Sequence, residues 1–159
     1  MKQLLIFAAP FALIGACSGG GNPGEMNAGE WETVTAMTDI EMAGMPEEAL
    51  AQMRAAMDNP RPQFHCLTDE NAANPMETMV GGGAVGRDCE FGNRTWEGGV
   101  IDVSATCQIP GQGTGEITLE GNYTATTMEA DLVVVVNGPV GEIRMAGTMT
   151  GEHNGECQM

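Results

Sequence analysis

Lysine is almost missing from this chain of 159 residues: one stands at position 2 and none follows. The other basic residues are five arginines, set against 22 acids, and the formal charge is −16. Phosphate contacts need clustered Lys and Arg, so nucleic acid is excluded as a natural partner and anionic lipid surfaces are disfavoured. Serine occurs only at positions 18 and 104, and histidine only at 65 and 153. A Ser-His-Asp triad would therefore need Ser104, which lies on the polar side of an alternating segment. Neither G-x-S-x-G, nor a P-loop, nor H-E-x-x-H occurs. The acids form no D-x-D-x-D-G calcium loop. C-x-x-C is also missing, which argues against a structural zinc site. No nucleophile–base pair can be assembled, so the chain reads as a non-enzyme with no cofactor. Aromatics are scarce too: two Trp, one Tyr and four Phe. Thirteen methionines have to fill space that rings would otherwise occupy.

What is present begins with an address. Met1-Lys2-Gln3 precedes an apolar stretch over residues 4–16, and Ile14-Gly15-Ala16 leads into Cys17. A basic start, a short apolar run and small residues before a cysteine form the layout of a bacterial lipoprotein signal. The expected processing removes residues 1–16 and attaches acyl chains such as palmitate to Cys17, anchoring the protein in a membrane. Ser18 favours the outer membrane over inner-membrane retention. Residues 18–24, SGGGNPG, hold nothing to bury and read as a flexible tether within a lipidated segment 17–25. One periplasmic domain is expected over 26–159, long enough for one modest core. It is expected to act as a monomer.

Apart from Cys17, the cysteines are Cys66, Cys89, Cys107 and Cys157. An even count in an oxidising compartment predicts two disulfides. Cys89 and Cys107 are symmetric about Gly98 in a Trp96-Glu97-Gly98-Gly99 turn. That hairpin sets Cys89 opposite Cys107, Phe91 opposite Ala105 and Thr95 opposite Ile101, within bridging distance. A rival turn at Gly92-Asn93 would break the register. Pairing Cys89 with Cys107 leaves Cys66 for Cys157.

Alternation with a period of two predicts strands over 101–109 and 117–125, a β-branched run over 132–136 buried on more than one side, and a strand over 140–150. The tail to Cys157 adds a short closing strand. Residues 29–42 form the first strand. Pro46-Glu47-Glu48 opens a helix whose Leu50, Met53 and Met57 share a face and which Pro60 and Pro62 stop. Thr68 caps a second short helix through Asn74, and residues 76–84 read as a loop. The fold class is mainly β: an antiparallel meander forming a curved sheet or open barrel, with a helical insertion between Pro46 and Asn74.

Two binding chemistries follow from the methionines. Met37, Met42 and Met45, with Trp31, could line an adaptable apolar pocket. Thioethers of Met145 and Met149, with His65 and His153, could instead bind Cu(I). Core filling is the simpler reading of the methionines, and Trp31 reads equally as a core anchor.

Several short motifs resemble a family of exported proteobacterial proteins described only as domain of unknown function 3617. They are Gly29-Glu30-Trp31-Glu32, Met42-Ala43-Gly44-Met45-Pro46, Cys66-Leu67-Thr68 with Glu70, the Cys89/Cys107 pair and Gly155-Glu156-Cys157. The resemblance implies a small exported or lipid-anchored β-rich domain with four cysteines, and it implies no activity. The expectation is an envelope module that binds an apolar small molecule or an envelope protein.

Overall fold

The computed structural model describes residues 24–57, 59–79, 89–109, 111, 113–139 and 141–158. The signal segment, Cys17, the tether up to residue 23 and residues 80–84 of the expected loop lie outside them. Seven strands form one antiparallel sheet: β1 (Gly29–Met42), β2 (Pro62–Leu67), β3 (Cys89–Glu97), β4 (Val100–Ile109), β5 (Gly113–Tyr123), β6 (Thr127–Gly138) and β7 (Gly141–Gly155). Their order is β2-β1-β7-β6-β5-β4-β3. The meander from β3 to β7 thus closes onto β1, and β2 is added outside it. The sheet curls into a half-barrel, with β2 and β3 as its two edges. Three helices accompany it: α1 (Glu47–Met57), α2 (Asp69–Ala72) and α3 (Met76–Met79). Among the described residues, no helix is long and apolar enough to cross a membrane.

Side chains alternate across each strand, so one set faces the hollow of the curl. On β4 this set is Ile101, Val103, Ala105 and Cys107, all buried. Ile101 and Val103 share one core with Trp31, Leu119, Tyr123, Met128, Ala130 and Met149, together with Met26, Leu67, Met76, Met79 and Trp96. Residues 24–28 close one end of the hollow. The Tyr123 hydroxyl donates to the Gly24 carbonyl at 2.6 Å, the Asn27 N–H to the Ala125 carbonyl at 2.9 Å, and the Trp31 indole N–H to the Asn27 carbonyl at 2.9 Å.

Both disulfides form as paired above, Cys66–Cys157 and Cys89–Cys107. Cys89 stands opposite Cys107 and Phe91 opposite Ala105, but Thr95 faces Asp102 and Trp96 faces Ile101. The register shifts between Phe91 and Arg94. Gly92-Asn93 is therefore a bulge rather than a turn, and the Asn93 N–H donates to Ser104 Oγ at 2.8 Å. The bulge offsets a two-residue turn in which Gly98 (φ 62°) and Gly99 (φ 84°) are both left-handed, as a type I′ hairpin requires.

Other expectations need correction. Residues 62–67 form an edge strand within what reads as a helical insertion, paired from Gly29–Leu67 to Val34–Pro62. Met76–Met79 is helical rather than loop. The tail is no separate strand: β7 runs unbroken to Gly155. β5 stops at Tyr123 because the Thr124 hydroxyl accepts from the Thr126 and Thr127 N–H groups and turns the chain. Leu132 to Val136 are half-buried, not fully enclosed.

Candidate functional site

The core fills only part of the hollow. Beyond it, a cavity of about 260 Å³ remains between the sheet and α3. Apolar side chains from β3 to β7 make most of its wall, chiefly Phe91, Val103, Ala105, Ile117, Leu119, Leu132, Val134 and Met149. Met37 of β1 and Met79 of α3 complete the apolar part. Among the described residues, the polar lining groups come from β1 and β2: Thr33, Thr35, Gln63 and His65.

Local sequence explains this division. β1 reads Trp31-Glu-Thr33-Val-Thr35-Ala-Met37, so its inward positions change from aromatic to hydroxyl to thioether along the strand. The β1–β2 register then sets His65 beside Trp31 and Gln63 beside Thr33. His65 Nε2 lies 3.0 Å from the Thr33 hydroxyl. Burial lowers the His65 pKa from its ordinary value, and a hydrogen bond with the Thr78 backbone opposes that shift. A ring that donates to the Thr78 carbonyl through one nitrogen accepts from Thr33 through the other, which fits a neutral imidazole. Neither the Thr35 hydroxyl nor the Gln63 amide has a protein partner among the described residues.

At the opposite rim, the Arg94 guanidinium lies 4.7 Å from the centre of the Phe91 ring and 3.8 Å from a Glu77 carboxylate oxygen. These contacts connect α3 to β3, while α3 also packs on β2. The short helix thereby spans the gap between the two sheet edges.

The four pocket residues read from sequence separate. Met37 lines the cavity. Trp31 is completely buried in the core, its indole N–H bonded to Asn27. Met42 ends β1 beside Ile143, and Met45 follows in the turn before α1, so neither lines the cavity. The chain around Met42 and Met45 is drawn toward α1, where Arg54 bonds the Ile40 carbonyl and pairs with Glu47 and Asp39.

The copper candidates fall at different positions on the sheet, two of them on the cavity lining. His65 stands opposite Trp31, and Met149 opposite Thr35 on the far side of β1. Both side chains line the cavity, and the imidazole is engaged there by the Thr33 hydroxyl, 3.0 Å from Nε2. Met145 pairs with Ile40, further along β1, and is not among the described lining residues. His153 packs edge-on against Trp31 at 5.7 Å, and its Nε2 lies 2.9 Å from the Ala28 carbonyl. Among the described residues, no group of three or more His, Cys, Asp or Glu side chains is placed to hold a metal ion.

Sequence reasoning did not single out Thr33, Thr35, Gln63, Phe91, Ile117, Leu132 or Val134 as site residues. The usable signal was the pairing of a long inward-facing surface with only seven aromatics. A sheet curling that far encloses more volume than aliphatic side chains fill.

Comparison with known protein families finds a match over most of the chain. The family model described as "Protein of unknown function (DUF3617)" covers residues 26–157. No curated protein and no solved structure matches the chain.

Proposed function

We propose, for a chain that belongs to the DUF3617 family and so inherits no described activity, a non-catalytic binding module that holds an apolar small molecule in the hollow of its half-barrel. The observation that carries this reading is the cavity of about 260 Å³, walled by aliphatic, methionine and Phe91 side chains. Ligand sites are typically concave, mostly apolar and provided with a few placed polar groups, and the Thr33–Thr35–Gln63–His65 strip fits that description. The histidines have structural partners here: His65 in Thr33, His153 in Ala28 and Trp31. Ser104 Oγ accepts from Asn93 N–H within a bulge, away from either imidazole. The module works in the bacterial cell envelope, anchored by acylated Cys17 to the outer membrane and facing the periplasm. The signal-like residues 1–17 support that address, and two disulfides suit an oxidising compartment.

Two experiments test the reading. In the first, the mature chain carrying Cys17→Ser is titrated with N-phenyl-1-naphthylamine, a neutral fluorophore that brightens in apolar surroundings. Saturable binding is expected, and Val134→Trp, which fills the mouth from a half-buried position, should abolish it. No enhancement with the unfilled protein would defeat the binding reading. In the second, Cys17→Ser is expected to move the protein from the membrane to the soluble periplasmic fraction. Retention in the membrane would defeat the anchor.

A further inference from the structure

Resting on that binding reading, we infer that the ligand is a single-chain amphiphile with an uncharged headgroup that both donates and accepts hydrogen bonds, such as a hydroxylated acyl ester.

The size of the hollow limits the chain. An apolar cavity of about 150 Å³ takes up benzene, so by proportion 260 Å³ has room for roughly ten carbons. One acyl chain fits to that depth, and a second does not fit beside it.

The lining restricts the headgroup. Its polar part is the edge formed by Thr33, Thr35, Gln63 and His65, with no carboxylate and no guanidinium among the described residues that line the cavity. Thr33 is satisfied internally, with its hydroxyl 3.0 Å from His65 Nε2 and 3.4 Å from the Gln63 carbonyl. The Thr35 hydroxyl and the Gln63 amide remain, each able to donate and to accept. They match a neutral hydroxyl, ester or amide. Gln63 is exposed and Thr35 half-buried, so a carboxylate or phosphate drawn in beside Thr35 would lose part of its water without gaining a cation from the described lining. Arg94 of the β3 rim lies over the lining residue Phe91 but is not itself among the described lining residues, and it already faces Glu77 at 3.8 Å. The formal charge of −16 adds long-range repulsion of anions. A quaternary ammonium would meet, among the described lining residues, no carboxylate and a single Phe, Tyr or Trp face, that of Phe91.

The test displaces N-phenyl-1-naphthylamine from the mature Cys17→Ser chain with three ligands sharing a ten-carbon tail: 1-monodecanoylglycerol, decanoate and decyltrimethylammonium. The glycerol ester is expected to bind roughly tenfold more tightly than either ion, the effect of about one well-made hydrogen bond plus avoided ion desolvation. The double variant Thr35→Val/Gln63→Leu should erase that preference while retaining the fluorophore. Along a monoacylglycerol series, affinity should rise roughly fourfold per methylene and level off near ten carbons. Decanoate binding as tightly as the ester, and losing affinity in Arg94→Met, would overturn the headgroup inference and leave the cavity reading standing. Preference for decyltrimethylammonium would overturn it equally. Failure of the fluorophore itself to bind would instead remove the underlying binding reading.

Discussion

Two tryptophans isolate the contribution of a single hydrogen bond. Trp31 and Trp96 are both buried in the same core. The Trp31 indole N–H donates to Asn27 at 2.9 Å, whereas Trp96 Nε1 is buried and has no partner among the described residues. A buried donor without a partner is a cost, and its removal recovers part of that cost. Trp31→Phe should therefore lose about 1 kcal/mol more stability than Trp96→Phe in denaturant unfolding. Equal losses would mean that ring volume alone decides. His65 supplies a second prediction at this scale. Its folded-state pKa lies below the ordinary value because burial penalises the imidazolium. Below the unfolded pKa of about 6.5 the unfolded chain binds more protons than the folded one, so stability must fall as pH falls. The His65 contribution is complete above that pH and is lost on acidification through the lower folded-state pKa. His65→Gln should flatten this part of the pH–stability curve relative to wild type, as read from urea midpoints between neutral pH and about pH 5.

At the scale of elements, the type I′ turn of the β3–β4 hairpin makes a local prediction. A Cβ on Gly98 would meet nothing within 4 Å, so the effect of substitution is conformational rather than steric. With φ at +62°, Gly98→Ala should destabilise by about 1–2 kcal/mol, the usual cost of a left-handed alanine. Gly98→Asn should cost distinctly less, because asparagine tolerates that region and suits type I′ turns. Urea midpoints of the two variants decide this, and equal losses would show that the turn does not hold its left-handed geometry in solution. The same hairpin shows where sequence reading succeeds and where it stops. Alternation across Ile101 to Ile109 is strong, so the strand, its inward face and the Cys89–Cys107 pairing were all legible. The bulge at Gly92-Asn93 was not, because it depends on which of two glycine-bearing turns closes the chain. β2 was hidden for a related reason: its six residues are mostly exposed, with no clean alternation. Its strand geometry is imposed by β1 and not by its own composition. α3 is four residues long, too short for a helical period to register. The cavity was hardest to see, since Ile117, Leu132 and Val134 alternate like core residues. A linear pattern records which side chains face inward but not whether they meet.

At the scale of the whole molecule, the curled sheet leaves two edges without a further strand among the described residues, and the wall bearing His65 and Gln63 is the more weakly held of the two. Among the described residues β2 has β1 as its single strand partner, and Cys66 ties it to Cys157 in the tail after β7. That bridge joins residues 91 positions apart, the other residues only 18 apart. In the chain-entropy account, the long closure contributes about 4.6 kcal/mol and the short one about 3.2 kcal/mol. Cys66→Ala/Cys157→Ala should therefore be the more damaging pair of substitutions, and it should also act locally. Without the bridge, an exposed six-residue strand is expected to open below the global unfolding limit, carrying the polar strip of the cavity with it. Hydrogen exchange checks both parts: amides of 62–67 should lose protection in this variant while those of β6 retain it, whereas Cys89→Ala/Cys107→Ala should leave β2 protected. Uniform loss of protection across β2 and β6 in the first variant would show that the edge strand and the centre of the sheet open as one unit, and that the cavity wall has no independent freedom to move.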